Sequence, residues 1–438
     1  MRIKLICPTS YDLNNQLIKV KKATLPPLSI SYLAGLTPKE HDVKVLDECV
    51  QGIDFDEPVD LVGITAMTFA AKRAYQIADE FLRRGVKVVM GGIHASSEVE
   101  EALEHANSVV IGEADDLWTK VLEDASDGKL EKVYTSKRRD QLDNLPVPRF
   151  DLLDTSKYIR LPFRQSPIIP IQTARGCPFD CEFCSVSRFW GKQVRFRPIK
   201  DVIQEISASK ADTVFFTDDN FVANAKRTHE LCDALTPLDI KYICQIDSLA
   251  FRHQEIIEAL KKSGCFMAFV GFESIYKDNL NDVDKGFNEP NNYSKLIRML
   301  HKNKISVYAS IILGFEKDDP KKVNETVQFL TNEKVSLASF FRLTPFPGTR
   351  LFERLDQEGA LTDRKWWLKR GEGLGALVKY PNNPYTGEEL TSIAMKYFYS
   401  WQSIFKRFFP PKGFFLDVLP FNLHAYKRVR KYDKTTIL

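Results

Sequence analysis

Short apolar runs alternate with amphipathic stretches along the N-terminal part of the chain. The apolar runs predict strands at residues 3–7, 43–46, 61–65, 87–90 and 108–111. Between them, residues 70–84 place Ala74, Ile77 and Phe81 on one helical face and charged side chains on the other, and Gly85 ends this helix. Short strands joined by helices form parallel sheets through right-handed crossovers. Residues 1–135 are therefore predicted to form a doubly wound, Rossmann-like α/β domain.

A second series of alternating elements begins after a proline-rich stretch. Residues 136–167 contain four prolines, which interrupt regular structure, so we expect a linker there. The apolar runs that follow predict strands at residues 168–173, 213–217, 242–246, 266–271, 306–313 and 339–343. Six strand–helix repeats over residues 168–355 fit a partial TIM-like (βα)6 barrel, in which chemistry sits where the strands end.

The last part of the chain, residues 356–438, is aromatic and basic. We expect it to form a small helical cap that packs on the open side of the barrel. Two alternatives are that part of it lines a substrate pocket, or that it attaches to a lipid surface, as aromatic and basic helices do. The lipid alternative uses Phe408, Phe409, Phe414, Phe415 and residues 427–431, but Pro410, Pro411 and Pro420 interrupt this stretch.

The composition narrows the class of protein. The 438 residues include 62 basic and 58 acidic side chains, and a net charge of +4 indicates no nucleic-acid partner. Eight cysteines in so long a chain do not indicate a disulfide framework. The first residues predict a strand rather than a signal peptide, and no apolar run reaches the ~20 residues of a membrane span. We therefore expect a cytoplasmic protein.

Three of the cysteines lie in one short loop after the first strand of the predicted barrel. The loop reads Cys177-Pro-Phe-Asp-Cys181-Glu-Phe-Cys184. Three thiolates can hold three irons of a cubane cluster and leave the fourth iron open to a small molecule, whereas four cysteines close the cluster. A structural zinc loop with a distant fourth ligand is the alternative, but such sites use four ligands, commonly in paired knuckles.

This spacing, with Phe183 before the last cysteine, resembles the cluster loop of the radical S-adenosylmethionine (SAM) enzymes. The resemblance implies that Cys177, Cys181 and Cys184 bind a [4Fe–4S] cluster. The open iron would bind the amino and carboxylate groups of SAM. The resemblance also implies an external reductant, such as flavodoxin or ferredoxin.

Polar residues at the ends of the predicted barrel strands follow the order of this superfamily. By the resemblance, Asp218 or Asp219 would accept hydrogen bonds from the SAM amino group, although paired aspartates are also common turn or helix-cap residues. Glu273 would hold the ribose hydroxyls and Ser274 the SAM carboxylate. Gly314 would let the backbone approach the adenine. The other expected members of the site are Asn220, Gln245, Asp247 and Ile312.

An α/β domain directly before such a barrel resembles the cobalamin-binding domain of the class B radical methylases. Many cobalamin proteins carry Asp-x-His-x-x-Gly, but none of the seven histidines here lies in that motif. The resemblance therefore implies a corrin with no histidine on its lower face, which would lie against residues 65–69. A domain that keeps the fold without the corrin is the alternative. The expected cobalamin contacts are Thr65, Met67, Thr68, Gly91, Gly92, His94 and Glu113.

These resemblances imply a cobalamin-dependent radical SAM enzyme, most simply a methyltransferase that acts on an unactivated carbon of a small-molecule or lipid substrate. In that reaction a 5′-deoxyadenosyl radical removes a substrate hydrogen and methylcobalamin donates the methyl group. A cyclase or rearrangement enzyme without net methylation is the first alternative. A non-catalytic iron–sulfur redox sensor is the second, although a sensor has no need of a nucleoside pocket.

Overall fold

Two parallel sheets, one after the other along the chain, form the framework of this α/β protein. The computed structural model describes residues 1–12, 14–369, 377–409 and 415–431. In the described part of the chain, six parallel strands form the first sheet in the order β2-β1-β3-β4-β5-β6. These strands are β1 (Arg2–Cys7), β2 (Asp42–Asp47), β3 (Leu61–Thr65), β4 (Lys87–Gly91), β5 (Ser108–Ile111) and β6 (Val133–Thr135).

The helices of this first half follow the predicted alternation. They are α1 (Leu28–Leu36), α2 (Ala71–Arg83), α3 (Ile93–Ser97), α4 (Val99–Glu104) and α5 (Trp118–Ser126). Helix α2 buries Ala74, Ile77 and Phe81, the apolar face that its sequence predicted. Strand β6 was not predicted, because three residues are too few to show the alternation that identifies a strand.

The second sheet is an open, parallel barrel. Within the described ranges its strands follow the order β14-β13-β12-β11-β10-β7, and β8 and β9 form a separate antiparallel pair. The strands are β7 (Ile169–Ile171), β8 (Ala174–Arg175), β9 (Arg195–Phe196), β10 (Thr213–Phe216), β11 (Lys241–Ile246), β12 (Cys265–Glu273), β13 (Ser306–Leu313) and β14 (Leu337–Arg342). The helices are α6 (Val186–Phe189), α7 (Ile199–Ser209), α8 (Ala225–Leu235), α9 (Gln254–Lys262), α10 (Lys277–Asn281), α11 (Tyr293–Lys302), α12 (Pro320–Asn332) and α13 (Arg350–Gln357).

The first barrel strand is shorter than predicted. The sequence indicated a strand over residues 168–173, but the sheet pairing ends at Ile171. The carboxylate of Asp218 accepts hydrogen bonds from the backbone amides of Thr173 (2.6 Å) and Ala174 (3.1 Å). A side chain thus takes the place of a neighbouring strand, and the chain leaves the sheet just before the cysteine loop.

Three helices close the open side of the barrel, as predicted. They are α14 (Gly387–Phe398), α15 (Trp401–Phe408) and α16 (Phe415–Lys431), and we call them the cap. The buried guanidinium of Arg407 fixes the cap, because it donates to the backbone oxygens of Val335 and Ser336 and to Asn422 Oδ1. Of the lipid contacts in that alternative, Phe414 lies outside the described residues, as do Pro410 and Pro411, which interrupt the stretch.

No helix in the described part of the chain has both the length and the apolar character needed to cross a membrane.

Candidate active site

The cysteine loop lines a large cavity of the barrel, of about 800 Å³. Gly176, directly before Cys177, has φ +96°, and a Cβ there would lie 2.5 Å from the Gln193 carbonyl oxygen, so glycine is required. Cys177, Cys181 and Cys184 all face the cavity. The loop is therefore held tightly at its start while its three thiols share one space.

The donor set of the loop fits a cubane cluster. The three thiols line one cavity, and such a cluster takes each thiolate on a different iron. Among the described residues, no three Cys, His, Asp or Glu side chains are grouped so as to hold a single metal ion. Burial raises the pKa of Cys181 to about 11 and that of Cys184 to about 12, and bound iron would favour their thiolate forms.

The two aspartates at the end of β10 have different environments. Asp218 is buried behind the loop, where it binds the backbone of Thr173 and Ala174. Asp219 faces the cavity instead. Burial, followed by the charge of Asp218, raises the pKa of Asp219 to about 7. A partly buried carboxylate of this kind fits an ammonium donor such as the amino group of SAM.

Three more of the predicted residues line the cavity next to Asp219. Asn220 donates to Asp247 Oδ2 at 2.7 Å, and Gln245 donates to the backbone oxygen of Asp219 at 2.8 Å. Asp247 also caps the following turn through the Leu249 amide. The ends of β10 and β11 therefore form one connected polar wall.

Glu273 ends β12 in a strained conformation, with φ +61° beside a bulge in the strand. It faces the cavity, but both carboxylate oxygens have partners: Lys285 Nζ at 2.7 Å and Ser310 Oγ at 3.0 Å. Burial opposes the charge of Lys285, yet Glu273 and Cys181 raise its pKa. A ribose would therefore meet a Glu–Lys–Ser group rather than an isolated carboxylate. Sequence reasoning missed Lys285, since nothing in its local pattern distinguishes it from a surface lysine.

Ser274 and Gly314 lie outside the cavity lining, whereas Ile312 is part of it. The hydroxyl of Ser274 accepts hydrogen bonds from the Tyr276 amide and from Asn279. At Gly314, which has φ +96°, a Cβ would lie 2.8 Å from Gly387 Cα at the start of α14. This glycine allows the cap to approach the barrel.

A second cavity, of about 720 Å³, lies between the carboxyl edge of the first sheet and the cysteine loop. Its lining includes Ile111, Gly112 and Glu113 from the sheet and Ser185 and Arg188 from the loop region. Ligands of doubly wound sheets bind at this edge. The position fits a cofactor that must reach both halves of the chain.

The predicted cobalamin contacts separate into two groups. Met67 lies on the open edge of the sheet with 62% of its surface exposed. A Cβ at Gly92, with φ +95°, would lie 3.0 Å from Thr65 Oγ1, so this glycine packs on residues 65–66. At Gly91 a Cβ would make only ordinary van der Waals contacts. Thr68 is buried, whereas the next residue, Phe69, lines the large cavity.

His94 and Glu113 are held by protein groups. His94 is fully buried; Tyr75 lies 3.0 Å from its Nε2, and the Trp367 ring packs edge-on against it. Glu113 pairs with Arg175 at 2.5 Å and with Arg195 at 2.7 Å. The structure thus gives both residues a packing role between parts of the chain.

Arg175 joins the cysteine loop to the first sheet. Its guanidinium is buried and contacts Glu113, as above, and Asp115 Oδ2 at 2.8 Å. It also stacks on Trp190, with 4.9 Å between Cζ and the ring centroid. Burial opposes its charge, but Asp115 and Glu113 raise the pKa of Arg175. We call Arg175, Arg195, Glu113 and Asp115 the inter-sheet ion cluster. Sequence reasoning missed it because its members lie about sixty residues apart.

Comparison with known proteins agrees with both halves of this site. A model of the radical SAM superfamily matches residues 171–330, and a model of the B12 binding domain matches residues 17–122. The bacteriochlorophyllide d C-8(2)-methyltransferase of Chlorobaculum tepidum is 33% identical over 358 residues, which cover 77% of this chain and 78% of that protein. The chain belongs to the cobalamin-binding radical SAM methylases. Its cofactors are a [4Fe–4S] cluster, SAM and cobalamin.

Two further proteins are similar to this chain, one by sequence and one by fold. The anaerobic magnesium-protoporphyrin IX monomethyl ester cyclase of Rubrivivax gelatinosus is 26% identical over 93% of this chain and 77% of that protein. The structure of the methyltransferase TsrM from Kitasatospora setae, with cobalamin and a [4Fe–4S] cluster bound, has a TM-score of 0.67. The match covers 98% of this chain and 99% of TsrM at 16% identity, so it shows a shared fold.

Replacement of Arg175 by lysine should weaken the junction between the sheets. Lysine keeps the charge but cannot contact Glu113 and Asp115 together with the planar fork of arginine. We expect a loss of about 2 kcal/mol in the free energy of unfolding and faster amide hydrogen exchange in residues 174–184. Urea titration and exchange mass spectrometry measure both. The control is Arg252→Lys in the exposed pair with Glu289, for which we expect a change below about 0.5 kcal/mol.

Equal losses in the two variants would contradict this role for Arg175.

Proposed function

We propose that this methylase transfers a methyl group to an unactivated carbon of a largely apolar small molecule. The observation that carries the proposal is the continuity of the large cavity. It runs from the three cysteines to a wall of aromatic and apolar side chains supplied by β13, β14 and the cap. The wall residues include Tyr308, Phe340, Phe341, Met395 and Tyr399. A substrate that fills this end would have its apolar surface removed from water.

The residues of the cavity have different roles, which follow from their positions. Cys177, Cys181 and Cys184 hold the cluster, and Asp219 with its polar neighbours at the ends of β10 and β11 holds SAM. When bound, the cofactors supply hydrogen abstraction and a transferable methyl group. The aromatic wall orients the substrate and excludes water, which protects reactive species from side reactions. A small external reductant, such as flavodoxin or ferredoxin, is part of the proposal.

A cyclase without net methylation is the second candidate. The relative from Rubrivivax gelatinosus, whose name describes a cyclase, aligns with 93% of this chain, which supports cyclisation as the outcome to test against methylation. A redox sensor fits less well, because the cavity provides a polar wall and a large apolar space that electron transfer alone does not need.

Methyl transfer from labelled SAM separates these functions. After anaerobic reconstitution with iron, sulfide and cobalamin, we expect SAM cleavage to 5′-deoxyadenosine and, with the correct substrate, label in the product. The Cys181→Ala variant should lose SAM cleavage and cluster iron, because only two cysteines, Cys177 and Cys184, would remain in the cavity lining to hold the cluster. Cys49→Ala, outside the cavity, is the matched control and should keep both. An unlabelled, cyclised product would favour the second candidate.

Substitutions of the two neighbouring aspartates should affect different properties, SAM binding for Asp219 and thermal stability for Asp218. Asp219→Asn removes the carboxylate proposed for SAM, so we expect the dissociation constant for SAM to rise about tenfold or more with little change in thermal stability. Asp218→Asn leaves backbone amides with a poorer acceptor and should lower the melting temperature first. Equilibrium dialysis and calorimetry measure the two effects. Reversal of this order would assign the SAM contact to Asp218.

Arg342 gives the apolar end of the cavity one positive charge. Its side chain is mostly buried at the end of β14 and lines the cavity. Among the described residues, Glu388 is its one hydrogen-bond partner, at a long 3.4 Å. Burial lowers the pKa of Arg342, which indicates that its charge is incompletely compensated. A carboxylate on the substrate would supply the missing acceptor, so we propose an apolar substrate with an acidic group.

Binding of a simple apolar acid tests this role of Arg342. We expect the reconstituted enzyme to bind laurate about tenfold more tightly than methyl laurate in isothermal titration calorimetry, because only the acid pairs with the guanidinium. Arg342→Gln should remove the preference, whereas Arg252→Gln, on the exposed surface, should keep it. If the acid and its ester bind equally to the unaltered enzyme, Arg342 does not bind a substrate carboxylate.

A further inference from the structure

Helix α15 exposes aromatic side chains where a surface helix carries polar ones. The buried positions are 403, 404, 407 and 408, and the exposed positions are 401, 402, 405, 406 and 409. This alternation is that of an ordinary amphipathic helix. Its exposed face, however, consists of Trp401, Phe405 and Phe409 with Gln402 and Lys406.

Tyr397 at the end of α14 is also exposed, and we call Tyr397, Trp401, Phe405 and Phe409 the aromatic ridge. Their exposed fractions are 52%, 58%, 56% and 49%. The spacing of four residues keeps Trp401, Phe405 and Phe409 on one side of the helix, and the rings of Phe405 and Phe409 stack at 4.5 Å. A contiguous apolar surface of this kind marks a site of interaction.

The sequence around the ridge is rich in basic residues. Residues 396–431 contain eight lysines and arginines and one acidic residue, Asp417. Lys406 lies on the exposed face of α15 itself, and Lys396 is exposed beside Tyr397. Lys427 is exposed on α16 next to Tyr426, whose ring centroid lies 6.0 Å from that of Trp401. The partner of this surface should therefore be both apolar and anionic.

The inner side of the same cap lines the large cavity. Thr391, Met395 and Tyr399 face the cavity from α14 and the following turn, and Ala425 faces it from α16. The ridge and this part of the cavity lining therefore belong to the same group of three helices. A surface that holds apolar molecules outside would therefore lie next to the cavity proposed to accept one.

We propose that the aromatic ridge docks the methylase on an anionic lipid membrane. Aromatic rings enter the headgroup region, and the surrounding lysines meet the anionic headgroups, as in interfacial helices. The contact is peripheral, since it uses one face of a short helix. This inference goes beyond the proposed function and is independent of the identity of the substrate.

The experiment uses the full reconstituted enzyme and lipid vesicles. We expect cosedimentation with vesicles of phosphatidylglycerol and phosphatidylcholine, and weaker binding at high salt or to phosphatidylcholine alone. The double variant Trp401→Ser/Phe405→Ser should bind about tenfold more weakly. Both side chains are more than half exposed, so the variant should fold. The control Phe163→Ser removes an aromatic side chain that is 97% exposed outside the cap and should bind normally.

Tryptophan fluorescence provides a second, independent measurement. Of the five tryptophans, all in the described part of the chain, Trp401 is the most exposed, while Trp118, Trp366 and Trp367 are buried. Brominated lipids should therefore quench the emission of the unaltered enzyme, and Trp401→Phe should abolish most of this quenching. Vesicle binding that is unchanged in the double variant would overturn the proposal. The proposal would also be overturned if the enzyme did not bind vesicles and instead formed a dimer that the double variant dissociates. The ridge would then contact a second copy of the chain.

Discussion

The buried guanidinium of Arg175 connects the two sheets at the point where the cofactors must meet. Arg175 directly precedes Gly176 and the cysteine loop in the sequence. Its side chain pairs with Glu113 and Asp115 at the carboxyl edge of the first sheet. Unlike exposed ion pairs, buried pairs are weakly screened by solvent, and removal of one partner leaves an uncompensated charge. The loop is therefore anchored to the neighbouring sheet as firmly as to its own.

This anchor explains why one short loop can serve two cavities. Ser185 and Arg188 line the smaller cavity on the side of the first sheet, and the three cysteines line the larger cavity in the barrel. Any movement of the loop changes both spaces together. Asp218 restrains the same segment from the barrel side by its bonds to Thr173 and Ala174. The relative position of the two cavities is thus restrained by carboxylates from both halves, Glu113 and Asp115 on one side and Asp218 on the other.

The parts of this structure that the sequence predicted are those with a local signature. The longer strands, the amphipathic helices and the cysteine spacing are readable within a few residues, whereas the short strands β6, β8 and β9 and the early end of β7 were not predicted. The difference between Asp218 and Asp219 has no such signature, because it depends on which of two adjacent side chains points behind the loop. The same holds for Lys285 and Arg342, whose roles arise from neighbours on other strands. His94 and Glu113 are expected corrin contacts by the family resemblance, and the fold also gives them protein partners that no local pattern indicates, Tyr75 for His94 and Arg175 for Glu113.

The cap shows that one sequence pattern is compatible with two orientations of a helix, with its aromatic residues facing either the core or the solvent. Read along α15, the aromatic residues at 401, 405 and 409 look like a core-facing stripe, since apolar residues at intervals of four normally face the interior. In the fold, Ile404 and Phe408 occupy the inner face instead, and Arg407 beside them binds backbone oxygens of the barrel. The buried hydrogen bonds of Arg407 leave little freedom to rotate this helix by half a turn. The exposure of the aromatic ridge therefore follows from the polar contacts on the opposite side, and it is a fixed feature of the surface.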